Sequence, residues 1–266
     1  MPEPFEVPAR GAVSYQHFRV PTGFTEDRGV QAAEARPGDA VVVHHINVYV
    51  EERGRSKDGP AHPNPQLTFF APGDMPTILP PGTAKRIPAG ASLDIVIHDT
   101  PVGTSRADRS SVALIFARQP VVREAVTVGI SEKDFVIPPE AANHEVLSRF
   151  TFDRDADLLS LMPHMHLRGK DFRYTVTLPD TPCEVILSVP AYDFAWQTLY
   201  RLAEPLRVPR GTRIECLAHF DNSKANPANP DATASVTWGE QTWDEMMIGF
   251  TDYAVDLASP VPPTLK

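Results

Sequence analysis

The sequence predicts an all-β sandwich fold, and three observations support this. Short runs rich in β-branched residues alternate with turn signals along the chain, which is typical of such folds. Proline accounts for 28 of the 266 residues. That is about twice its average usage, and it works against long helices. No window of eleven or more residues shows the apolar period of 3.6 that marks an amphipathic helix.

Nine runs are predicted as strands, because each is apolar or β-branched and ends at a turn signal. Before the first of them stands Pro-Gly-Asp, and before the second Pro-Ala-Gly. The nine runs are residues 40–52, 92–100, 111–119, 157–169, 171–180, 183–192, 213–222, 234–238 and 246–257.

The chain is long enough for two domains with separate cores. The predicted division lies within residues 119–143, which contain Pro120, Pro138 and Pro139. The predicted domains are residues 1–125 and 126–258, and an extended tail follows at residues 259–266.

Loops are predicted at residues 80–90 and 221–233, the second of which contains Asn-Pro twice. The one predicted helical turn covers residues 131–134, with Ser131 as the capping residue.

Composition excludes some classes of function. A net charge of −9 argues against non-specific nucleic-acid binding, which needs a basic face. No apolar run approaches the roughly 20 residues of a membrane-spanning helix. The sequence lacks a serine nucleophile elbow, a phosphate-binding loop and a Cys-x-x-Cys motif.

Cys183 and Cys216 would either form one disulfide or remain as two buried thiols, and the second is favoured.

The N-terminal residues lack the basic start and apolar stretch of a secretory signal. The chain is therefore expected to be either cytoplasmic or the mature part of a longer exported protein.

Six candidate metal ligands fall in separate clusters near the ends of apolar runs. Adjacent strand residues point to opposite faces, so His44 and His45 could share a metal only if a bulge or strand end turns one of them. The alternative is one buried and one exposed histidine. His98 ends the run LDIVIH, where a structural role is the alternative.

The second half carries a stronger pattern. His164 and His166 are two residues apart, which places both imidazoles on one face of a strand, while Met165 points into the core. The alternative is a pair of solvated histidines. Met246 would be core filler on its own, and only the combination suggests a ligand. The other histidines, His17, His62, His144 and His219, lack paired spacing and are expected to be structural or exposed.

This set of ligands predicts copper chemistry. Imidazole suits copper, zinc and iron, whereas a thioether is a soft ligand that favours Cu(I). Three of the ligands precede the predicted boundary and three follow it, which predicts one site on each domain.

In these residues the chain resembles the type II copper, ascorbate-dependent monooxygenase family, which includes peptidylglycine α-hydroxylating and dopamine β-monooxygenases. It is most similar to bacterial members. The family's first site, an adjacent His-His and a later strand-end histidine, matches VVVHHINVYV and LDIVIHDT. Its second site, a His-x-His and the methionine of Asp-Glu-Met, matches PHMHLRGK and TWDEMM. The resemblance covers roughly residues 5–257.

The resemblance implies two tandem antiparallel jelly-roll β-sandwich domains with one copper on each, facing a solvent-filled cleft. The implied reaction uses dioxygen and two electrons to hydroxylate a C–H bond of a small-molecule substrate. The implied catalytic copper is held by His164, His166 and Met246, and the electron-storing copper by His44, His45 and His98. Ascorbate or a cytochrome c-type protein is the implied electron donor, and the implied location is periplasmic or secreted.

Several positions depart from the family. Its peptide-amidating members place an arginine where Met162 stands, and an asparagine and a tyrosine where Ile248 and Phe250 stand. A peptide with a free carboxylate is therefore not supported as the substrate. Met162, Met247 and Phe250 are instead candidate walls of a more apolar pocket. Asp99 stands where the family commonly has an aromatic residue, which puts His98 in doubt as a ligand. The animal enzymes are also disulfide-rich, unlike this chain.

Two other functions stay open at this point. The chain could be a copper-binding or electron-transfer module without hydroxylase activity, since intact ligands beside a changed pocket would allow that. It could also be a β-sandwich binding module with incidental histidines, which predicts no stoichiometric copper.

Overall fold

The computed structural model describes residues 1–52, 66–73 and 75–261, the last three by backbone alone. The predicted all-β class is confirmed, because the described residues form strands and no helix. They also contain no helix with the length and apolar character of a membrane span. Most of the predicted tail, residues 262–266, lies outside the described residues.

The chain divides into two compact units. Unit one comprises Met1–Thr127 and Ala254–Lys266, and unit two comprises Val128–Tyr253. The predicted division after residue 125 lies two residues from the observed one, which falls inside a strand. The prediction did not include the return of the last strand to unit one.

The strands β1 to β11 begin in unit one. They are β1 Phe5–Val7, β2 Gln16–Pro21, β3 Arg28–Arg36, β4 Val43–Glu51, β5 Gln66–Phe70, β6 Thr77–Ile78, β7 Thr83–Ile87, β8 Ser92–Asp99, β9 Arg106–Asp108, β10 Ser111–Phe116 and β11 Val121–Ser131.

Two sheets of unit one form a sandwich, and β1 pairs with β9 in a separate two-stranded sheet. One sheet has the order β2-β8-β4-β5, and the other contains β10-β3-β7-β11 with β6 also pairing with β3. Alternate residues of β3, β4 and β8 point into the space between the sheets and form one apolar core, which includes Ala33, Ile46 and Ile97. Within the two sheets of the sandwich, β11 runs parallel to β7, and the other pairs with a defined register are antiparallel.

The strands β12 to β20 complete the chain. They are β12 Val136–Ile137, β13 His144–Thr151, β14 Ala156–His164, β15 Gly169–Thr177, β16 Glu184–Val189, β17 Tyr200–Val208, β18 Arg213–Phe220, β19 Val236–Thr237 and β20 Ile248–Val261.

Unit two also has two layers. An antiparallel sheet has the order β13-β18-β15-β16, and the neighbouring strands β20, β14 and β17 form the second layer. The Tyr174 hydroxyl of β15 donates a hydrogen bond to the Phe250 carbonyl of β20 at 3.1 Å, which ties the layers together. Gly249 permits this approach, because a Cβ there would clash with the Cys216 sulfur.

Three predictions of local structure were wrong. The stretch 80–90 is not only a loop but contains β7, whose residues Thr83, Ala84 and Ile87 are buried. No helical turn follows Ser131. The Glu132 carboxylate instead accepts hydrogen bonds from the next two backbone N–H groups, each at 2.8 Å. Cys216 is buried as predicted, but Cys183 is exposed, and the two are not bonded.

Candidate metal centres

A β-bulge brings the adjacent histidines of β4 together. Val43 lies opposite Asp99 of β8, and His45 lies opposite His98, so two steps along β4 match one step along β8. The extra residue is His44. A bulge re-aims a side chain that would otherwise point to the opposite face, and bulges recur beside functional sites. The sequence analysis required a bulge or a strand end if His44 and His45 were to share a metal, and this bulge meets that requirement.

His44, His45 and His98 form a compact cluster in unit one, which we call the first centre. One ring nitrogen of each lies within 4.8 Å of the others. The Nδ1 atoms of His44 and His45 are 3.0 Å apart. Imidazole nitrogens that hold a tetrahedral metal at about 2.0–2.1 Å, as they hold zinc, lie about 3.3 Å from one another. The cluster could therefore hold a metal ion after small side-chain adjustments.

Burial favours the metal-binding form of His44. His45 and His98 are buried, and burial lowers the pKa of the partly exposed His44. A lowered pKa favours the neutral imidazole, which has a nitrogen lone pair for a metal.

Two aromatic rings flank the first centre, and the sequence alone did not indicate either. Tyr15 stacks on His98 with ring centroids 4.8 Å apart and planes inclined by 16°. Phe69 stacks on His45 at 6.0 Å. Tyr15 precedes β2 and Phe69 lies on β5, so only the order of strands in the sheet brings them to the histidines. These rings restrict the orientations of the two imidazoles.

Asp99 does not keep His98 out of the first centre. It is 2% exposed, and among the described residues its carboxylate oxygens have no hydrogen-bond partner. Burial, with Asp108 and Asp39 nearby, raises the pKa of Asp99 to about 7. Since Asp99 follows His98 in β8, its side chain points to the opposite face of the sheet.

His164 and His166 form a second candidate centre in unit two, at the end of β14. Their ring centroids are 5.3 Å apart and their planes nearly perpendicular, at 89°. His164 is the last residue of β14, whereas His166 lies in the turn beyond it, so the two do not share a strand face as predicted. Met165 is fully buried, as predicted.

Hydrogen bonds define the tautomers of both histidines. The Gln197 amide group donates to the Phe194 carbonyl at 3.0 Å, which orients its oxygen toward His164 Nδ1 at 2.7 Å. His164 Nδ1 therefore carries the proton, and the lone pair is on Nε2. His166 Nδ1 faces the Asp244 carbonyl at 3.3 Å, and a carbonyl can only accept. The lone pair of His166 is therefore also on Nε2.

Glu245 joins the segment of Met246 to the turn of His166. Its carboxylate accepts hydrogen bonds from the backbone N–H groups of His166 at 2.8 Å and Arg168 at 2.6 Å. The Met246 N–H also interacts with this carboxylate. Burial raises the pKa of Glu245 to about 8, although these N–H groups lower it. Met246 is half-buried, and its backbone is linked to the histidine turn through this carboxylate.

Arg168 fixes the other side of the same turn. It is 1% exposed, and its guanidinium donates to the Asn222 side chain at 2.8 Å and to the Trp243 carbonyl at 2.7 Å. Asn222 in turn donates to the carbonyl groups of Pro138 and Ala234. The predicted loop 221–233 therefore supports the second centre, a role that spacing could not reveal.

The residues predicted to line a pocket at the second centre are buried. Met162 and Met247 are 2% and 0% exposed. Phe250 is 7% exposed, and its ring centroid lies 6.2 Å from that of His164. Their role as substrate walls stays a prediction.

The remaining histidines that the structure describes lie outside both centres. His17 is exposed beside Asp94 at 3.2 Å, and His144 begins β13. His219 lies between Asp171, at 2.7 Å, and Glu145, at 3.5 Å. His62 lies outside the described residues.

Comparisons with known proteins do not assign a family. No family model matches the chain, and no curated protein matches it. Three solved structures from infectious bursal disease virus share weak similarity. The Gx strain structure has a TM-score of 0.28 and 6% identity, covering 97% of this chain and 72% of that one. The VP2 subviral particle has a TM-score of 0.28 and 8% identity, and the match covers 87% of this chain and 59% of that one. The Gt strain structure has a TM-score of 0.29 and 9% identity, and the match covers 98% of this chain and 72% of that one.

At these scores the similarity supports no statement about function. None of the three concerns a copper monooxygenase, so the resemblance to that family stays a prediction.

Proposed function

We propose that this chain is a two-copper monooxygenase that uses dioxygen and an external one-electron donor to hydroxylate a C–H bond of a small molecule. The observation that carries the proposal is the first centre. Residues 44, 45 and 98 come from two strands far apart in sequence, yet one nitrogen of each lies within 4.8 Å of the others. Ligands in that order match the family, and the bulge on β4 gives the match a structural basis.

The donor sets of the two centres fit copper in different ways. The first centre offers three largely buried imidazoles, ligands that suit both oxidation states of copper. The second centre offers two Nε2 lone pairs and the Met246 thioether, a soft donor that favours Cu(I). In this proposal His164, His166 and Met246 would hold a copper that would supply dioxygen chemistry, and His44, His45 and His98 would hold one that would store an electron.

The residues around the second centre have defined tasks in this proposal. Gln197 and the Asp244 carbonyl keep each histidine proton on Nδ1, so that both Nε2 lone pairs would be available to a metal. Glu245 holds Met246 at the histidine turn. Met162, Met247 and Phe250 exclude water and favour an apolar part of the substrate. Ascorbate or a cytochrome c-type protein supplies electrons, and an exported, periplasmic location accompanies this role.

One observation favours the second candidate, a copper-binding or electron-transfer module without hydroxylase activity. Met162 and Met247, two of the three predicted substrate walls, are almost fully buried and so offer little surface to a substrate. Substrate-dependent oxygen uptake separates the two functions, because only the monooxygenase consumes dioxygen when a substrate is added.

The experiment that tests the proposal is metal loading. The chain is incubated anaerobically with Cu(I), excess metal is removed, and copper per chain is measured. Two coppers per chain are expected. One copper would favour an electron-transfer module, and none would show that both centres are relics on a binding scaffold.

His45→Ala is expected to remove the first copper and to stop turnover, because the second electron would no longer arrive in time. The second centre should still take up copper and bind carbon monoxide, a Cu(I) ligand, as the unmodified protein does. His17→Ala, which changes an exposed histidine of the same unit, is the control. Turnover at the normal rate in His45→Ala would exclude the electron-storing role.

Gln197→Leu is expected to weaken copper binding at the second centre by about 10- to 100-fold, since residues that orient a ligand histidine typically matter that much. The measurement is a competition titration with a Cu(I) chelator. Gln66→Leu removes a buried glutamine side chain in unit one and should leave second-centre affinity unchanged. Equal affinities in both variants would remove the orienting role of Gln197.

A further inference from the structure

Tyr192 holds the residue between the two histidines of the second centre by both of its backbone polar groups. The Tyr192 hydroxyl accepts a hydrogen bond from the Met165 N–H at 3.0 Å and donates one to the Met165 carbonyl at 2.7 Å. A tyrosine hydroxyl can do both at once, because it is a donor and an acceptor. Since β14 ends at His164, Met165 lies beyond the strand, and Tyr192 supplies the donor and acceptor that a neighbouring strand would provide.

Two further contacts fix Tyr192 against this turn. The Tyr192 N–H donates a hydrogen bond to the Lys170 carbonyl at 2.9 Å, near the start of β15. Gly169 allows the tyrosine ring to come close, because a Cβ at that position would clash with both the Tyr192 ring and the Met165 side chain. The backbone and the ring of Tyr192 are therefore both held by the chain that directly follows the histidines.

The segment 192–197, which we call the clamp segment, also contacts both histidines. The Phe194 ring lies edge-on to His166, with ring centroids 5.8 Å apart. Gln197 accepts the hydrogen bond from His164 Nδ1 at 2.7 Å. The His166 ring, by contrast, faces a backbone carbonyl at the longer distance of 3.3 Å. The orientation of His166 should therefore depend more strongly on the position of the turn than that of His164.

We propose that Tyr192 is a positioning residue for the second centre, which holds the backbone between the two histidines so that both rings are oriented before a metal binds. The inference rests on the proposed function for the metal, but the orientation itself is a property of the metal-free chain. A turn that is already held in place loses little conformational freedom when its side chains take up a metal, so the affinity is higher. Tyr192 exerts this effect through Met165.

Tyr192→Phe tests the proposal, since it removes only the hydroxyl. In metal-free protein, the imidazole nitrogen NMR shifts of His166 should change from those of one tautomer to those of a mixture, because the turn that carries this ring is released. His164 should keep its proton on Nδ1, because Gln197 still accepts it. In a competition titration with a Cu(I) chelator, the second centre should bind copper about tenfold more weakly, the lower end of the loss typical when residues that orient a ligand are removed.

Tyr174→Phe is the matched control. It removes another tyrosine hydroxyl of unit two, which donates a hydrogen bond to the Phe250 carbonyl at 3.1 Å, so a general loss of stability should be similar. It should change neither the His166 shifts nor the copper affinity. Gln197→Leu should give the opposite pattern to Tyr192→Phe, with the change of tautomer at His164.

Unchanged His166 shifts or unchanged copper affinity in Tyr192→Phe would overturn the proposal, and so would equal changes in Tyr174→Phe. If Tyr192→Phe did not fold, Gly169→Ala would take its place, because the added methyl group displaces the tyrosine ring and should change the His166 shifts in the same way. Absence of copper from the second centre of the unmodified protein would reject the proposed function. The His166 shifts of the metal-free variants would still decide the role of Tyr192.

Discussion

Met246→Leu is expected to lower the copper content from two to one per chain and to abolish hydroxylation. Leucine preserves the size and apolar character of the half-buried side chain, so the loss would report the missing thioether and not a cavity. Without a third donor, two imidazoles would hold Cu(I) too weakly to survive removal of excess metal. The first centre lies in the other unit and should remain filled.

The measurement is copper per chain after anaerobic loading, combined with X-ray absorption to detect a sulfur ligand. Met246→His serves as the control, because it replaces the thioether with another donor and should retain two coppers without the sulfur signal. If Met246→Leu kept both coppers and the sulfur signal, the ligand would be another methionine, and the match to Asp-Glu-Met would be coincidental.

The sequence predicted which histidines come together better than it predicted the residues around them. Adjacent histidines in an apolar strand restricted the structure to few arrangements, because only a bulge or a strand end lets both face one ion. The observed register shift between Val43 and His45 is the bulge that this argument required. His98 was in doubt because Asp99 follows it, yet strand alternation sends the two side chains to opposite faces.

The residues that support the centres could not be predicted in the same way. Gln197 is 33 residues from His164, and Glu245 is 79 residues from His166. These contacts depend on which strands become neighbours, and no local period or spacing encodes that. The motif Asp-Glu-Met does contain one signal, because a glutamate stands directly beside the candidate ligand Met246. The sequence analysis gave that glutamate no role.

Proline and glycine misled the assignment of β7. The stretch 80–90 has proline or glycine at both ends, which is typical of a loop. The five residues between them nevertheless form a strand that pairs with both β3 and β11. The turn residues therefore mark the ends of a short strand. Its burial depends on sheet neighbours that the local sequence does not specify.

Glu245→Ala is expected to destabilise unit two by about 3 kcal/mol or more, even in metal-free protein. The carboxylate is fully buried and interacts with the backbone N–H groups of His166, Arg168 and Met246. Alanine would leave these donors without an acceptor, and each buried unsatisfied polar group costs about 1–3 kcal/mol. The buried Arg168 guanidinium would also lose its electrostatic interaction with Glu245.

Denaturant unfolding of the metal-free variants measures this loss, and Glu245→Gln should fall between wild type and Glu245→Ala because an amide retains one acceptor. Glu215→Ala is the control, since it breaks an exposed ion pair whose contribution is expected to be below about 1 kcal/mol. Loss of second-centre copper should accompany the destabilisation, because the same carboxylate holds both the histidine turn and Met246. Equal stability of Glu245→Ala and Glu215→Ala would mean that the turn is held by Arg168 and Asn222 alone, and Glu245 would then have no role in positioning the second centre.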